Sequence, residues 1–303
     1  MYGRRCQSEG VFRRVSNTTH IRGILHGSGC MRRYPVLFIE RSVNIALYKS
    51  MSKYYQPQRS KNIFNPDSSE PFKLSRSKID LFLECPRCFY LDRRLGIGRP
   101  PGYPFTLNSA VDKLLKKEFD LHRAGKTAHP LMQVYGIDAV PFQDLRMEQW
   151  RENFVGVQHL HAPTNFLVFG AIDDLWVNAQ GELHVVDYKA TSKEGEVTLD
   201  AEWQIGYKRQ MEVYQWLLRH QQDNFTVSDT GYFVYCNGKS DAEAFDGKLE
   251  FEVVVIPYTG NDGWIEETLV QAHVCLHAHT LPDAHVDCDY CRYREAVRER
   301  SIV

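Results

Sequence analysis

Two periods alternate along this chain. From Phe166 to Val177 and from Glu182 to Ala190 the sequence is rich in Val, Leu, Ile, Phe and Trp, and both stretches predict β-strands. Residues 230–236 and 248–258 read the same way. Elsewhere apolar residues recur at three- and four-residue spacing, the mark of one helix face. In 203–218 they fall at Tyr207, Met211, Tyr214, Leu217 and Leu218, with Gln210 four residues before Tyr214 on the same side. Leu107, Val111, Leu114, Leu115 and Phe119 predict a helix with one buried face. Another helix starts at Ser75, a capping residue type, and runs into the turn Cys85-Pro86-Arg87. Residues 263–280 predict a further helix. The stretch from Leu95 to Pro104 is a loop, and its Gly96 and Gly98 do not form a phosphate cradle, because Pro100 and Pro101 follow where a helix should begin. The order helix, helix, strand, strand, helix, strand, strand, helix is that of an α/β domain around a mixed sheet. No internal repeat is present.

The turn between the first two strands bears on chemistry. Asn178-Ala179-Gln180-Gly181 separates them, and a three-residue loop with a left-handed residue at Gly181 pairs Asn178 with Glu182. Asp173 then falls opposite Asp187 on one side of the sheet. A two-residue loop would send the two carboxylates to opposite faces. Side chains repeat every two residues along a strand, so Asp187 and Lys189 share a face. Two carboxylates and an ammonium gathered this way can hold a divalent metal and set a water against a phosphodiester. The alternative is a surface hairpin with solvated charges.

Length and charge narrow the class. The chain has 303 residues, of which 43% are hydrophobic, enough for one full core plus an extension. No apolar run reaches the roughly 18–20 residues of a membrane span. The net charge of −1 hides an uneven division. Residues 1–50 hold nine Lys/Arg against two Asp/Glu, and residues 51–126 hold fifteen against eight, so each segment carries +7. Residues 127–303 carry −15, with thirteen against twenty-eight. A basic segment with Arg87, Arg93, Arg94, Arg99, Lys113, Lys116 and Lys117 beside an acidic body can track a phosphate backbone, although Lys116 and Lys117 read equally well as solvated helix lysines. Residues 1–50 lack periodicity and a plausible core. Met51 reads as a natural start, which would make them a mis-assigned extension; a basic tail and a transit peptide are the other readings. Residues 51–71 read as a flexible lead-in.

Four of the eight cysteines form two Cys-x-x-Cys pairs, Cys85/Cys88 and Cys288/Cys291. Together they offer four thiolates, enough for a tetrahedral zinc or an iron–sulfur cluster. Free pairs of this kind suggest a reducing compartment, hence the cytoplasm. Cys236 ends an apolar strand and reads as core. Cys275, among His273, His277 and His279, reads as an ordinary helix residue.

Gly170-Ala171-Ile172-Asp173, then Asp187-Tyr188-Lys189-Ala190-Thr191, then Gln210-Met211-Glu212-Val213-Tyr214 on a helix, resemble in order and spacing the PD-(D/E)XK nuclease superfamily, in particular its RecB-type branch. That branch includes the nuclease domains of bacterial helicase–nucleases and of CRISPR adaptation. The threonine of its Asp-Tyr-Lys-Thr motif is displaced here by one residue. The resemblance covers residues 72–298, including the helix that runs into Cys85-Pro86-Arg87. It implies a restriction-endonuclease-like core with a central mixed β-sheet flanked by helices. It also implies that Asp173 and Asp187 bind Mg²⁺ or Mn²⁺ with the Tyr188 carbonyl, that Lys189 orients the attacking water, and that Gln210 and Tyr214 steady the lysine or the DNA. The branch usually carries a metal-binding histidine where this chain has Asp112, and a carboxylate suits the same hard cations. Its iron–sulfur staple joins an early cysteine to late ones across the fold, more often one early and three late. Val297 stands where a last cysteine is expected, and Cys88 could replace it. A [4Fe-4S] cluster is the first expectation, with structural Zn²⁺ as the alternative.

The function expected is therefore a metal-dependent DNA nuclease acting on single-stranded or end-containing DNA in repair or recombination. No helicase motor is present, so any helicase is a separate partner. The alternatives are a catalytically silent nucleic-acid-binding module of the same fold and a restriction-like or mobile-element endonuclease.

Overall fold

The computed structural model describes residues 58–301, and in them the chain builds the expected mixed sheet with a smaller one beside it. The N-terminal part runs β1 (Phe72–Ser75), α1 (Arg76–Glu84), α2 (Pro86–Arg93), α3 (Thr106–Gly125), α4 (Pro130–Val134), β2 (Ala139–Pro141) and α5 (Met147–Trp150). Four strands follow: β3 (Val157–His161), β4 (Phe166–Gly170), β5 (Asp174–Asn178) and β6 (Leu183–Thr191). The chain continues through α6 (Ile205–Arg219), β7 (Thr230–Gly238), β8 (Phe251–Thr259), α7 (Ile265–His277) and α8 (Asp289–Arg300). The larger sheet has the order β2-β5-β6-β7-β8, with β6 and β7 parallel and its other neighbours antiparallel. The smaller has the order β1-β4-β3, with β1 parallel to β4. The expectations for residues 1–50 and for Met51 lie outside the described residues.

The expected register is the observed one. Asp174 pairs with Val186 and Val177 with Leu183, Asn178 N–H donates to the Glu182 carbonyl, and Gly181 takes φ +81°. The continuous strand expected from Phe166 to Val177 is instead two. β4 ends at Gly170, and Ala171-Ile172-Asp173 cross from one sheet to the other, with Ile172 N–H donating to the Trp150 carbonyl. Close packing fixes a glycine at the crossing point. A Cβ on Gly170 would lie 2.6 Å from the Tyr214 ring, so the helix can approach the strand only where the side chain is missing.

Both faces of the larger sheet are covered. On β6, Val185 packs in one core with Met211 and Leu217 of α6. Its neighbour Val186 packs with Leu115 and Phe119 of α3 in another, and Tyr188 joins it there. Asp187 therefore shares the α6 side with Val185, by the period of two.

The N-terminal helix itself ends at the expected turn, because Cys85 precedes a proline and is driven to an extended conformation (φ −166°, ψ 105°), and α2 starts at Pro86. Three expectations need correction. Ser75 does stand at the helix start, but its hydroxyl meets the Ser77 hydroxyl and caps no backbone N–H. On α3 the expected apolar face is only half covered: Leu115 and Phe119 are buried, while Leu107 and Leu114 lie open. From residue 58 onward the lead-in is held rather than loose. Phe64 is buried edge-on against Phe72 and Phe166, and Arg59 pairs with Asp92.

Candidate active site

A cleft of about 890 Å³ opens where α3 faces the C-terminal end of β6 and the start of α6. Asp112 and Lys116 come from α3, and Asp173 from the crossing between the sheets. Lys189 comes from β6, Tyr207 from α6, and Arg151 from the residue after α5. Asp187 is fully buried behind them, with the Lys189 ammonium paired to it. Gln210 donates from α6 to Asp187 Oδ1 at 2.8 Å and to the Tyr214 hydroxyl at 3.0 Å. The helix spacing Gln210/Tyr214 thus steadies the carboxylate; neither residue has a hydrogen bond to the lysine. Tyr188 contributes its backbone N–H, which donates to Asp173 Oδ2 at 3.0 Å.

Asp112 and Asp173 are brought together by a residue the sequence left ambiguous. The Lys116 ammonium lies 2.8 Å from each of them. Among the described residues, the four cysteines are the one set of three or more His, Cys, Asp or Glu whose ligand atoms lie within 4.8 Å of one another. The three carboxylates do not form such a set; Lys116 bridges Asp112 and Asp173, and Lys189 pairs with Asp187. Lys116 and Lys189 act here as stand-in cations, and hard oxygen donors that collect positive charge fit Mg²⁺ or Mn²⁺.

The surroundings drive the two main carboxyls apart. Burial pushes Asp187 up, Lys189 pulls it partly back, the Asp173 charge raises it again, and it ends at about 6. Burial also raises Asp173, but the Lys116 and Lys189 charges and the Tyr188 N–H outweigh this and hold it below the usual carboxylate range. Asp112 is raised by burial and by Asp173, against Lys116.

A buried network behind the cleft escaped the sequence. Asp174 points the opposite way from Asp173 and has no exposure. Its carboxylate accepts from Arg123, from the Tyr188 hydroxyl at 2.6 Å and from Arg151 at 3.4 Å. Arg151 also donates from Nε to the Asp173 carbonyl at 2.9 Å, and both arginines pair with Asp120. The network clamps the backbone that presents Asp173. Asp-Asp at 173–174 was the one available signal, since two successive carboxylates on opposite faces need two sets of partners.

At the other end of the domain the four expected cysteines meet. Their sulfurs lie within 4.8 Å of one another, and Cys88–Cys288, Cys88–Cys291 and Cys85–Cys291 are 3.5, 3.7 and 3.9 Å apart. All four are buried. Burial raises the Cys85 thiol, but N–H groups of Cys88 and His285 outweigh it, and it falls to about 7. Cys236 is core and Cys275 stands apart in α7, as expected.

The family model of the PD-(D/E)XK nuclease superfamily matches residues 142–296, more than half of the chain, and the chain belongs to that superfamily. Membership implies a nuclease, a hydrolase of a kind that typically uses divalent metal ions. A solved structure, the crystal structure of SSO0001, is similar at 14% identity and a TM-score of 0.32, covering 74% of this chain and 84% of that one. No curated protein matches the chain. No described helix is long and apolar enough to cross a membrane.

Proposed function

We propose that the protein is a RecB-type nuclease that hydrolyses DNA with single-stranded or free ends, in repair or recombination, with Mg²⁺ or Mn²⁺. The supporting observation is the convergence of Asp173, Asp187 and Lys189 at one cleft, with Gln210 bonded to Asp187. Asp173 and Asp187 would hold the cation, with Asp112 and the Tyr188 carbonyl as further donors. When bound, such an ion polarises a phosphoryl oxygen and makes water a better nucleophile. Lys189 orients the attacking water and offsets charge at phosphorus, and its partner Asp187 fixes where the ammonium stands. Gln210 holds Asp187 in one rotamer, and Arg151 holds the Asp173 backbone. Lys113 and Lys117, on the wall of the cleft, suit the phosphate backbone.

The four cysteines would hold a structural centre. Thiolates about 2.3 Å from one tetrahedral ion lie about 3.8 Å apart. The closest sulfur pairs, at 3.5–3.9 Å, favour one zinc over the iron–sulfur cluster expected first.

Incubation with end-labelled single- and double-stranded DNA and Mn²⁺ tests the activity; no Mn²⁺-dependent cleavage of either would overturn it. The second reading, a silent nucleic-acid-binding module, draws on the Lys116 bridge, which satisfies Asp112 and Asp173 without metal. Mn²⁺ titration by calorimetry separates the two, since a silent module would show no binding dependent on Asp173.

A further inference from the structure

An aromatic pocket adjoins the catalytic cleft, and the residues assigned to catalysis leave it unexplained. It measures about 420 Å³, and Phe105, Leu107, Trp203, Tyr207, Leu249 and Phe251 are among its lining residues. Trp203, in the short turn Glu202–Gln204 before α6, is 65% exposed, and Phe105 is 75% exposed. Large apolar groups left open around one pocket mark a surface that binds something.

The pocket is continuous with the cleft. Phe105, Asn108, Val111, Ala190 and Tyr207 line both. Tyr207 is the hinge between them: its ring meets Trp203 edge-on at 5.4 Å, and the Lys189 ammonium lies 4.6 Å from its centre. A chain of alternating charge and flat apolar surface has the same alternation as this wall. Phosphates suit Lys113 and Lys117 in the cleft, and an apolar aromatic face suits the pocket one step away. Paired bases cannot offer their faces to a protein, whereas an unpaired base stacks on aromatic side chains without regard to sequence.

We infer that Trp203, with Phe105, forms a stacking site for one unpaired nucleobase next to the scissile phosphate, and that this site makes the enzyme select single-stranded over duplex DNA. The inference rests on the nuclease reading of the cleft. Asn108 bonds to the Ala190 carbonyl at 2.5 Å and braces α3 against β6 where pocket and cleft meet. The exposed Leu107, left over from the half-covered face of α3, belongs to the same surface.

Binding without cleavage tests it, by fluorescence anisotropy of a labelled dT oligonucleotide and a blunt duplex in Ca²⁺. Trp203→Ala should weaken dT binding by roughly 5- to 150-fold, the range of losing one stacked base, and leave duplex binding unchanged. Trp203→Phe should restore most of the affinity, and Phe105→Ala should act in the same direction as Trp203→Ala. An oligonucleotide with abasic sites should bind the unaltered protein about as weakly as dT binds Trp203→Ala. Unchanged dT affinity in both alanine variants, or equal loss for single strand and duplex, overturns the stacking site. An unaltered protein that binds dT through Trp203 but never cleaves it retains the stacking site and sinks the nuclease reading. One that binds neither DNA form sinks both.

Discussion

The two candidate metal centres are built in opposite ways. The carboxylate site draws Asp173, Asp187, Lys189 and Gln210 from one short stretch of chain, around a hairpin and the next helix, and takes only Asp112 and Lys116 from the more distant α3. The cysteine site joins sulfurs 200 to 206 residues apart. The first is open, with hard oxygen donors and lysines at the edge of a large cleft; the second is closed, with four buried thiols. An open site leaves room for substrate, and a closed one ties the ends of a fold together. Local construction gives precision to the chemistry, and distant construction gives cohesion to the domain.

The difference breaks most sharply under substitution at the open site. Asp187→Asn and Lys189→Ala should each lower Mn²⁺-dependent cleavage at least about 100-fold, as loss of a preorganised charged group does. Thermal melting by circular dichroism should still give one cooperative transition. Full activity in either variant would remove Asp187 or Lys189 from the site. Next in size is Asp174→Ala, which leaves Arg123 and Arg151 without their buried partner and should cost about 3–5 kcal/mol in urea unfolding, with activity falling as the Asp173 backbone loosens. A loss below about 1 kcal/mol would show that the network is not a clamp.

The closed site is sharpened by Cys88→Ser. By analogy with a crosslink over a long loop it should cost about 2–5 kcal/mol and lower the melting of the whole domain together. Elemental analysis of anaerobically purified protein distinguishes the occupants. One zinc per chain and no colour supports the sulfur spacing, and a brown sample with iron restores the cluster.

The smallest effect concerns Asp92, at the end of α2. Burial raises this carboxyl, but Lys78 and Arg93 outweigh it and hold it below its ordinary value. A carboxyl depressed in the folded state adds stability that is complete above its unfolded pKa of about 3.9. That stability is lost as pH falls through the lower, folded value. Urea midpoints from pH 6 to pH 2 should therefore fall less steeply for Asp92→Asn than for the unaltered protein, and parallel curves would show that Asp92 does not couple folding to protons.

What could be read from the chain follows the same divide between local and distant. The hairpin register, the shared face of Asp187 and Lys189 and the helix with Gln210 and Tyr214 were legible, because each depends on spacing within a turn or a strand. β1, β2 and β3 were not, because isolated runs of three to five residues display no period, whereas β4 and β5 were read together as one longer apolar run. The break at Gly170 was hidden too, since the ring that packs on this glycine, Tyr214, lies 44 residues further on.

The sequence alone therefore determined the fold class, the hairpin register and the face of the strand that Asp187 and Lys189 share, and it supplied the donor residues of both candidate centres, since backbone period and turn geometry act between near neighbours. Tertiary structure decided the rest. It split one strand between two sheets and gave Asp174 its arginines. It also put Lys116 between two carboxylates and left Trp203 and Phe105 open beside the cleft. These outcomes depend on which distant surfaces meet, and packing between elements, rather than any local preference, chooses them.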